Sequence, residues 1–397
     1  MAEDTRSQFL ELAKATDRID PFRVHVPQAV IDDLRRRLMV TRWPDKETAD
    51  SWEQGVPLAR AREIVNKWRT TYDWRLFEKK INAFPQFRTL IDGIGIHFIH
   101  VKSKHENALP IILTHGWPGS IVEFLGCIDP LVNPEAHGGK PEDAFHVVLP
   151  SLPGYGFSDK PVEKGWNWKR TAKAWGVLMQ RLGYDRWVAQ GGDWGAAVTL
   201  GLAQQRPLGL VAAHVNWLLV VPDHISTRPS TEEIAIFKDL ANFAAEGNGY
   251  FKEHATRPQT LGYGLADSPV AQAMWIYEKL PEWSQHRGES DVLSRTEMLD
   301  DISLYWFTNS GTSSGRFYWE NFHSYPPFST NLGRVDLPMA ATVYPGEGSR
   351  ALKEWAQAQW PNLYYWGSVA KGGHFAAWEQ PEIFVNDIRN AFSRQRV

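Results

Sequence analysis

Cysteine is almost missing from this chain. Cys127 is the only one in 397 residues, which excludes an intrachain disulfide and fits a reducing compartment. Residues 1–14 contain no uninterrupted apolar run, so neither a secretory signal nor a membrane anchor is expected there, and the expected location is the cytoplasm. An excess of one charge is also missing: 43 Lys and Arg against 46 Asp and Glu leave a net −3, and without a basic surface nucleic acid is not an expected partner. No internal repeat, low-complexity tract or cluster with metal-ligand spacing appears. What is abundant is tryptophan, at 19 residues. Most should pack the core and the interfaces between units, leaving a few for an aromatic-lined cavity.

The length has room for roughly two to three domain-sized units, or for one large α/β domain with an insertion. Apolar alternation at 87–91 and 96–101, joined at Asp92-Gly93, predicts a hairpin. Short apolar runs at 110–114, 145–149 and 186–190 predict strands, with a helix over 168–182, another over 196–204 and a strand over 210–217. From 223 to 336 the pattern turns polar and helix-like, broken by Pro and Gly. Strands resume at 339–345 and 362–366, and an amphipathic helix closes the chain over 381–394. This alternation predicts an α/β fold, a mostly parallel sheet with helices on both faces and a mainly helical insertion.

The segment that limits the chemistry is Gly191-Gly192-Asp193-Trp194-Gly195, between a predicted strand and a predicted helix. Glycines two before and two after the aspartate permit a sharp turn that pushes its side chain out at the end of a sheet, the pattern of a nucleophile elbow. Serine attacking an sp3 carbon there would leave an ether. Aspartate leaves an ester, whose carbonyl water can attack to restore the carboxylate. The competing reading is an Asp that caps the following helix.

A base and an orienting acid are needed in the chain order nucleophile, acid, histidine. His374, between the last strand and the last helix, is the candidate base. Glu347, just after the 339–345 strand, is the candidate acid, ahead of Asp336 before that strand and Asp223 after an earlier one. A tetrahedral intermediate needs oxyanion donors, for which the backbone N–H groups of Trp194 and Trp117 are placed. Trp117 lies in His115-Gly116-Trp117-Pro118-Gly119-Ser120, which also reads as a helix-entry turn with Pro118 at the first helical position.

Taken together these motifs carry a resemblance. Pro21-Phe22-Arg23-Val24-His25-Val26-Pro27, the 34–44 segment, the 115–120 turn, Pro150-Ser151-Leu152-Pro153-Gly154-Tyr155-Gly156-Phe157-Ser158, the elbow and Gly372-Gly373-His374-Phe375 resemble the α/β-hydrolase-fold epoxide hydrolases, in the branch similar to the microsomal enzyme and its soluble fungal and bacterial relatives. The resemblance covers nearly the whole chain, without that branch's hydrophobic anchor. It implies an N-terminal meander (1–86) wrapping the core, a core in two parts (87–222 and 337–397) and a cap (223–336). It further implies that Tyr250 and Tyr318 in the cap donate hydrogen bonds to an epoxide oxygen. The expected reaction is epoxide plus water to vicinal diol, through an Asp193 ester, with no cofactor or metal. Small-molecule epoxide and water are the expected partners, membrane is not, and a homodimer is compatible. A haloalkane dehalogenase is the nearest alternative, with Trp194 offered to a halide. A non-catalytic small-molecule receptor on the same scaffold is the other.

Overall fold

The computed structural model describes residues 17–220, 222, 227–285, 293–324, 332–348 and 350–396. Asp223, residues 1–14 and the beginning of the proposed cap lie outside the described residues. Among the described residues nine strands, numbered in chain order, form one sheet in the order β1-β2-β3-β5-β4-β6-β7-β8-β9. β1 (Ile19–Phe22), β2 (Gln86–Ile91), β3 (Ile94–Val101) and β5 (Phe145–Pro150) join antiparallel. From β5 onward the pairings through β4 (Leu109–Thr114), β6 (Trp187–Gly191), β7 (Leu210–Val215), β8 (Met339–Val343) and β9 (Leu363–Ser368) are parallel. Parallel neighbours end on the same side, so the loops after β4, β6, β8 and β9 gather at one edge, where ligands of such sheets bind.

Burial follows from composition. β4 and β5 are buried at every position, as strands covered on both faces must be. The helix Trp194–Gln205 is buried from Trp194 through Ala203, because a helix that is apolar all round has no solvent face. Gly201 lets the helix Trp168–Arg181 close on it, since a Cβ there would sit 2.9 Å from a Trp168 ring carbon. Ten of the tryptophans are buried, so packing accounts for most of their number.

Several expected boundaries shift, and one strand is new. β1 was not predicted. It is a four-residue edge strand carrying Pro21, and an edge is where a residue lacking N–H is tolerated. β7 stops at Val215 rather than 217, because the Asn216 N–H turns to the Gly191 carbonyl at 3.3 Å and its Oδ1 accepts from Gln190 at 2.8 Å. The elbow helix begins at Trp194, two residues early, directly off the turn.

Helices within 249–285 and 293–322 form a layer over the loop edge, among them Gly249–Thr256, Arg295–Phe307 and Gly311–Phe322. The N-terminal segment touches this layer as well as the core: Trp68 Nε1 donates to Ser303 at 2.9 Å and the Tyr72 hydroxyl to Asp300 at 2.9 Å.

Candidate active site

Asp193 follows β6 with φ 51° and ψ −131°, a region that non-glycine residues enter at a cost of about 1–3 kcal/mol. The flanking glycines are required by space. A Cβ at Gly191 would overlap the Gly195 carbonyl, and one at Gly195 would overlap the Thr114 carbonyl on β4. Asp193 makes no side-chain cap to its own helix. Its Oδ1 instead accepts the Trp117 N–H at 2.8 Å, and Oδ2 lies 3.3 Å from His374 Nε2. The capping alternative is therefore set aside.

His374 sits between β9 and the short helix Ala376–Glu379. Its Nδ1 is 2.9 Å from Glu347 Oε2, so the order Asp193, His374, Glu347 is continuous. Asp336 is not in the chain of contacts. It is exposed at the opposite end of β8 and pairs with Arg334 at 2.8 Å. Burial opposes charge on the His374 ring, but the Glu347 charge, hydrogen bonds to Asp193 and Glu347, and the Asp193 charge outweigh it and hold its pKa well above the ordinary histidine value.

The 115–120 turn does not enter its helix at Pro118. The first helical residue is Ile121, with Ser120 as the cap accepting the Val122 N–H. This leaves the Trp117 amide free of helix geometry and directed at Asp193. Trp194, the other expected donor, is the first residue of its helix, whose first-turn amides point back at the elbow.

Tyr250 on helix Gly249–Thr256 and Tyr318 on helix Gly311–Phe322 face the triad from the cap. The Trp117 ring stacks on Tyr250 with centroids 5.0 Å apart, and Trp194 meets Tyr318 edge-on at 4.9 Å. Burial, with the Asp193 charge behind it, pushes the Tyr250 pKa well up, against a bond from Tyr318. For Tyr318 burial again leads, followed by Tyr250 and Asp193, against a bond from the Trp194 side chain. Both phenols are thus held neutral. Together with Asp193 and His374 they border a cavity of about 560 Å³, walled by Trp217, Leu240, Phe243, Trp283 and Phe322. Phe243 belongs to a short π-helical stretch, Phe243–Gly247, a widening often found where a helix meets a site. A larger groove of about 950 Å³ runs between Trp43 and Trp275. None of the triad or the two tyrosines borders it, so the smaller, apolar cavity is the candidate substrate site.

Some supporting residues carried no sequence signal. Glu379 accepts the backbone N–H groups of Gln285, Gly373 and Phe375 at 2.9, 3.1 and 3.1 Å, fixing the His374 loop. Asp301 accepts from Ser120 at 2.5 Å and Tyr305 donates to the Gly119 carbonyl at 2.8 Å, so the cap helix Arg295–Phe307 holds the Trp117 turn.

Comparison with known proteins identifies the family and the fold. Residues 19–124 match the family model described as epoxide hydrolase N terminus, and residues 110–216 match that of the alpha/beta hydrolase fold. "Epoxide hydrolase 1" of Sus scrofa is 33% identical over 95% of this chain and 89% of its own length. The chain belongs to the epoxide hydrolase family. A Stigmatella aurantiaca (strain DW4/3-1) relative of this epoxide hydrolase is 54% identical over 380 residues, 95% of this chain and 86% of that one. Among solved structures, the silkworm (Bombyx mori) juvenile hormone epoxide hydrolase superposes with TM-score 0.88 at 28% identity, covering 97% of this chain and 96% of that one. The Aspergillus niger epoxide hydrolase gives 0.84 at 31% identity, with 97% and 98% covered. Among the described residues of this family member, no helix is long and apolar enough to cross a membrane.

Proposed function

We propose that this epoxide hydrolase converts a small, largely apolar epoxide to its vicinal diol in two steps carried by Asp193, His374, Glu347, Tyr250 and Tyr318. The observation that supports it most is the division of labour at the Asp193 carboxylate: Oδ1 takes the Trp117 N–H at 2.8 Å while Oδ2 faces His374 at 3.3 Å. Oδ2 attacks a ring carbon from the side opposite the C–O bond. The developing alkoxide accepts a proton from the tyrosine pair, which can donate while neutral at working pH. Oδ1 becomes the ester carbonyl oxygen, already against one oxyanion donor, with the Trp194 N–H as the second.

Alkylation cancels the Asp193 charge, one of the groups that hold the His374 pKa up. His374 then deprotonates water while Glu347 steadies the imidazolium through Nδ1. The alkoxide leaves from the tetrahedral centre and the carboxylate returns. A reducing cytoplasm fits the buried lone thiol of Cys127, and a homodimer is compatible with this reading. Trp194 is engaged with Tyr318 rather than offered to a halide. Incubation with an aromatic epoxide and, separately, a bromoalkane tests the proposal. Diol without bromide release is expected, and bromide release without diol would replace it with the dehalogenase reading.

A further inference from the structure

Two cavities meet at Asp193 and His374 and have no other wall in common. The second is small, about 10 Å³, on the order of one water molecule. It is bordered by Glu123, Asn216, Gly116 and Phe384 and contains neither cap tyrosine. Two polar side chains besides Asp193 and His374, those of Glu123 and Asn216, line it. Glu123 stands on the turn Ile121–Phe124 that follows the Trp117 loop, and Gly119 makes room for it, since a Cβ there would overlap the Glu123 carboxylate. Asn216 is fixed from behind: Gln190 donates to its Oδ1 at 2.8 Å, which leaves the Nδ2 end to act as a donor.

We propose that this small cavity holds the hydrolytic water, positioned by Glu123 and Asn216, so that water and epoxide reach Asp193 from separate compartments. The inference rests on the reading that Asp193 is alkylated. A water there has three hydrogen-bonding partners among its walls, an acceptor on Glu123, a donor on Asn216 and the His374 ring, which matches what an ordered buried water requires, and it stands beside the Asp193 carboxyl carbon. One water proton passes to His374 Nε2 as the oxygen bonds to the Asp193 carboxyl carbon. The bond from that carbon to the alkyl oxygen breaks, the leaving alkoxide takes the proton from His374, and the Asp193 carboxylic acid returns its own proton to the tyrosine that protonated the epoxide oxygen. Burial pushes the Glu123 carboxyl well above the usual carboxylate range, against the pull of His374. A neutral acid can bind water there without placing a second anion beside Asp193.

Single-turnover kinetics with an aromatic epoxide such as styrene oxide separates this from a packing role. In Glu123→Gln and Glu123→Leu the ester-hydrolysis rate should fall at least tenfold while alkylation stays within twofold of wild type, and the ester should accumulate by intact-protein mass spectrometry. Ala377→Val, which enlarges a different wall of the same small cavity, should give the same split. Equal loss of both rates in the folded variants, or no loss of hydrolysis in any of them, overturns the proposal. If the wild type forms neither ester nor diol, the failure lies with the two-step reading itself.

Discussion

The core and the cap contribute to one cavity by opposite electrostatic means. The core brings three ionisable groups on loops at the ends of parallel strands, and these are steadied by one another, with separations of 3.3 Å between Asp193 and His374 and 2.9 Å between His374 and Glu347. The cap brings two phenols on helices, where burial keeps them neutral. The same buried environment therefore serves both, because pairing favours charge on His374 and desolvation suppresses it in the tyrosines. On the proposed mechanism the division is by step: core groups would make and break the ester, while cap groups would act only on the epoxide oxygen.

The largest effect should come from removing the atom both steps need. Asp193→Ala is expected to lower turnover on the order of 10⁴-fold or more, as loss of a nucleophile from a unit does, with circular dichroism unchanged. Substantial diol formation by that variant would end the aspartyl-ester assignment. Next in size is His374→Gln, which removes the base but not the nucleophile. A general base is worth about 10²–10⁴-fold, so ester should form and drain slowly, seen as a substrate-sized adduct by mass spectrometry. Substrate binding without any adduct would argue against the route.

The pH dependence of the wild type sharpens the same point. His374 is a base only when neutral, so ester hydrolysis should rise with pH through its pKa and fall on the acid side. In the free enzyme the Asp193 charge and hydrogen bond help raise that pKa. Both contributions are lost in the ester, so the acid limb of the hydrolysis step should lie at lower pH than the His374 titration of the free enzyme followed by NMR. An acid limb at the same or higher pH would mean that alkylation does not release the histidine.

Smaller effects belong to the cap. Tyr250→Phe or Tyr318→Phe removes one donor, and alkylation should slow by roughly tenfold, about 1.4 kcal/mol, while hydrolysis of preformed ester is unchanged. The double variant should be slower than either. Tryptophan fluorescence in stopped flow can follow both phases, since Trp117 and Trp194 pack against these tyrosines. Wild-type alkylation in the double variant would remove the electrophile-activating role.

How much of this was legible depended on distance along the chain. The elbow could be read because Gly191, Asp193 and Gly195 stand together in the chain, even though the space Gly195 leaves is taken by Thr114 on β4, and the loops of Glu347 and His374 because they follow strand-like apolar runs. β1 was hidden because four residues that include Asp20 and Pro21 show no strand periodicity. The clamps on the catalytic loops were hidden for another reason. Ser120 and Asp301 are 181 residues apart and Gly119 and Tyr305 are 186 apart, so no local pattern links them. Pro118 misled because its fixed φ suits a helix start in general, whereas here Ser120 supplies the cap.

Asp301 offers the smallest effect on turnover and tests how firmly the cap is joined to the core. It is fully buried, with one oxygen accepting from Ser120 and the other without a hydrogen-bond partner among the described residues. Burial raises its pKa from 3.8 to about 8, partly offset by the Ser120 bond, and burial likewise raises the neighbouring Asp300 to about 7. For an acid whose folded pKa is raised, the folded state holds the proton more tightly. Its contribution to stability is therefore full below the unfolded value near 3.8, declines as pH rises and is lost above about 8. Asp301→Asn keeps the shape and the acceptor for Ser120 but cannot ionise. It should flatten the fall of Tm across that window and raise Tm most near pH 8, with alkylation and hydrolysis changed by less than about threefold, since the Trp117 turn stays held. A variant Tm that falls with pH as steeply as the wild type would show that Asp301 does not titrate there. A selective loss of hydrolysis would show instead that the turn depends on the charge across the cap–core contact.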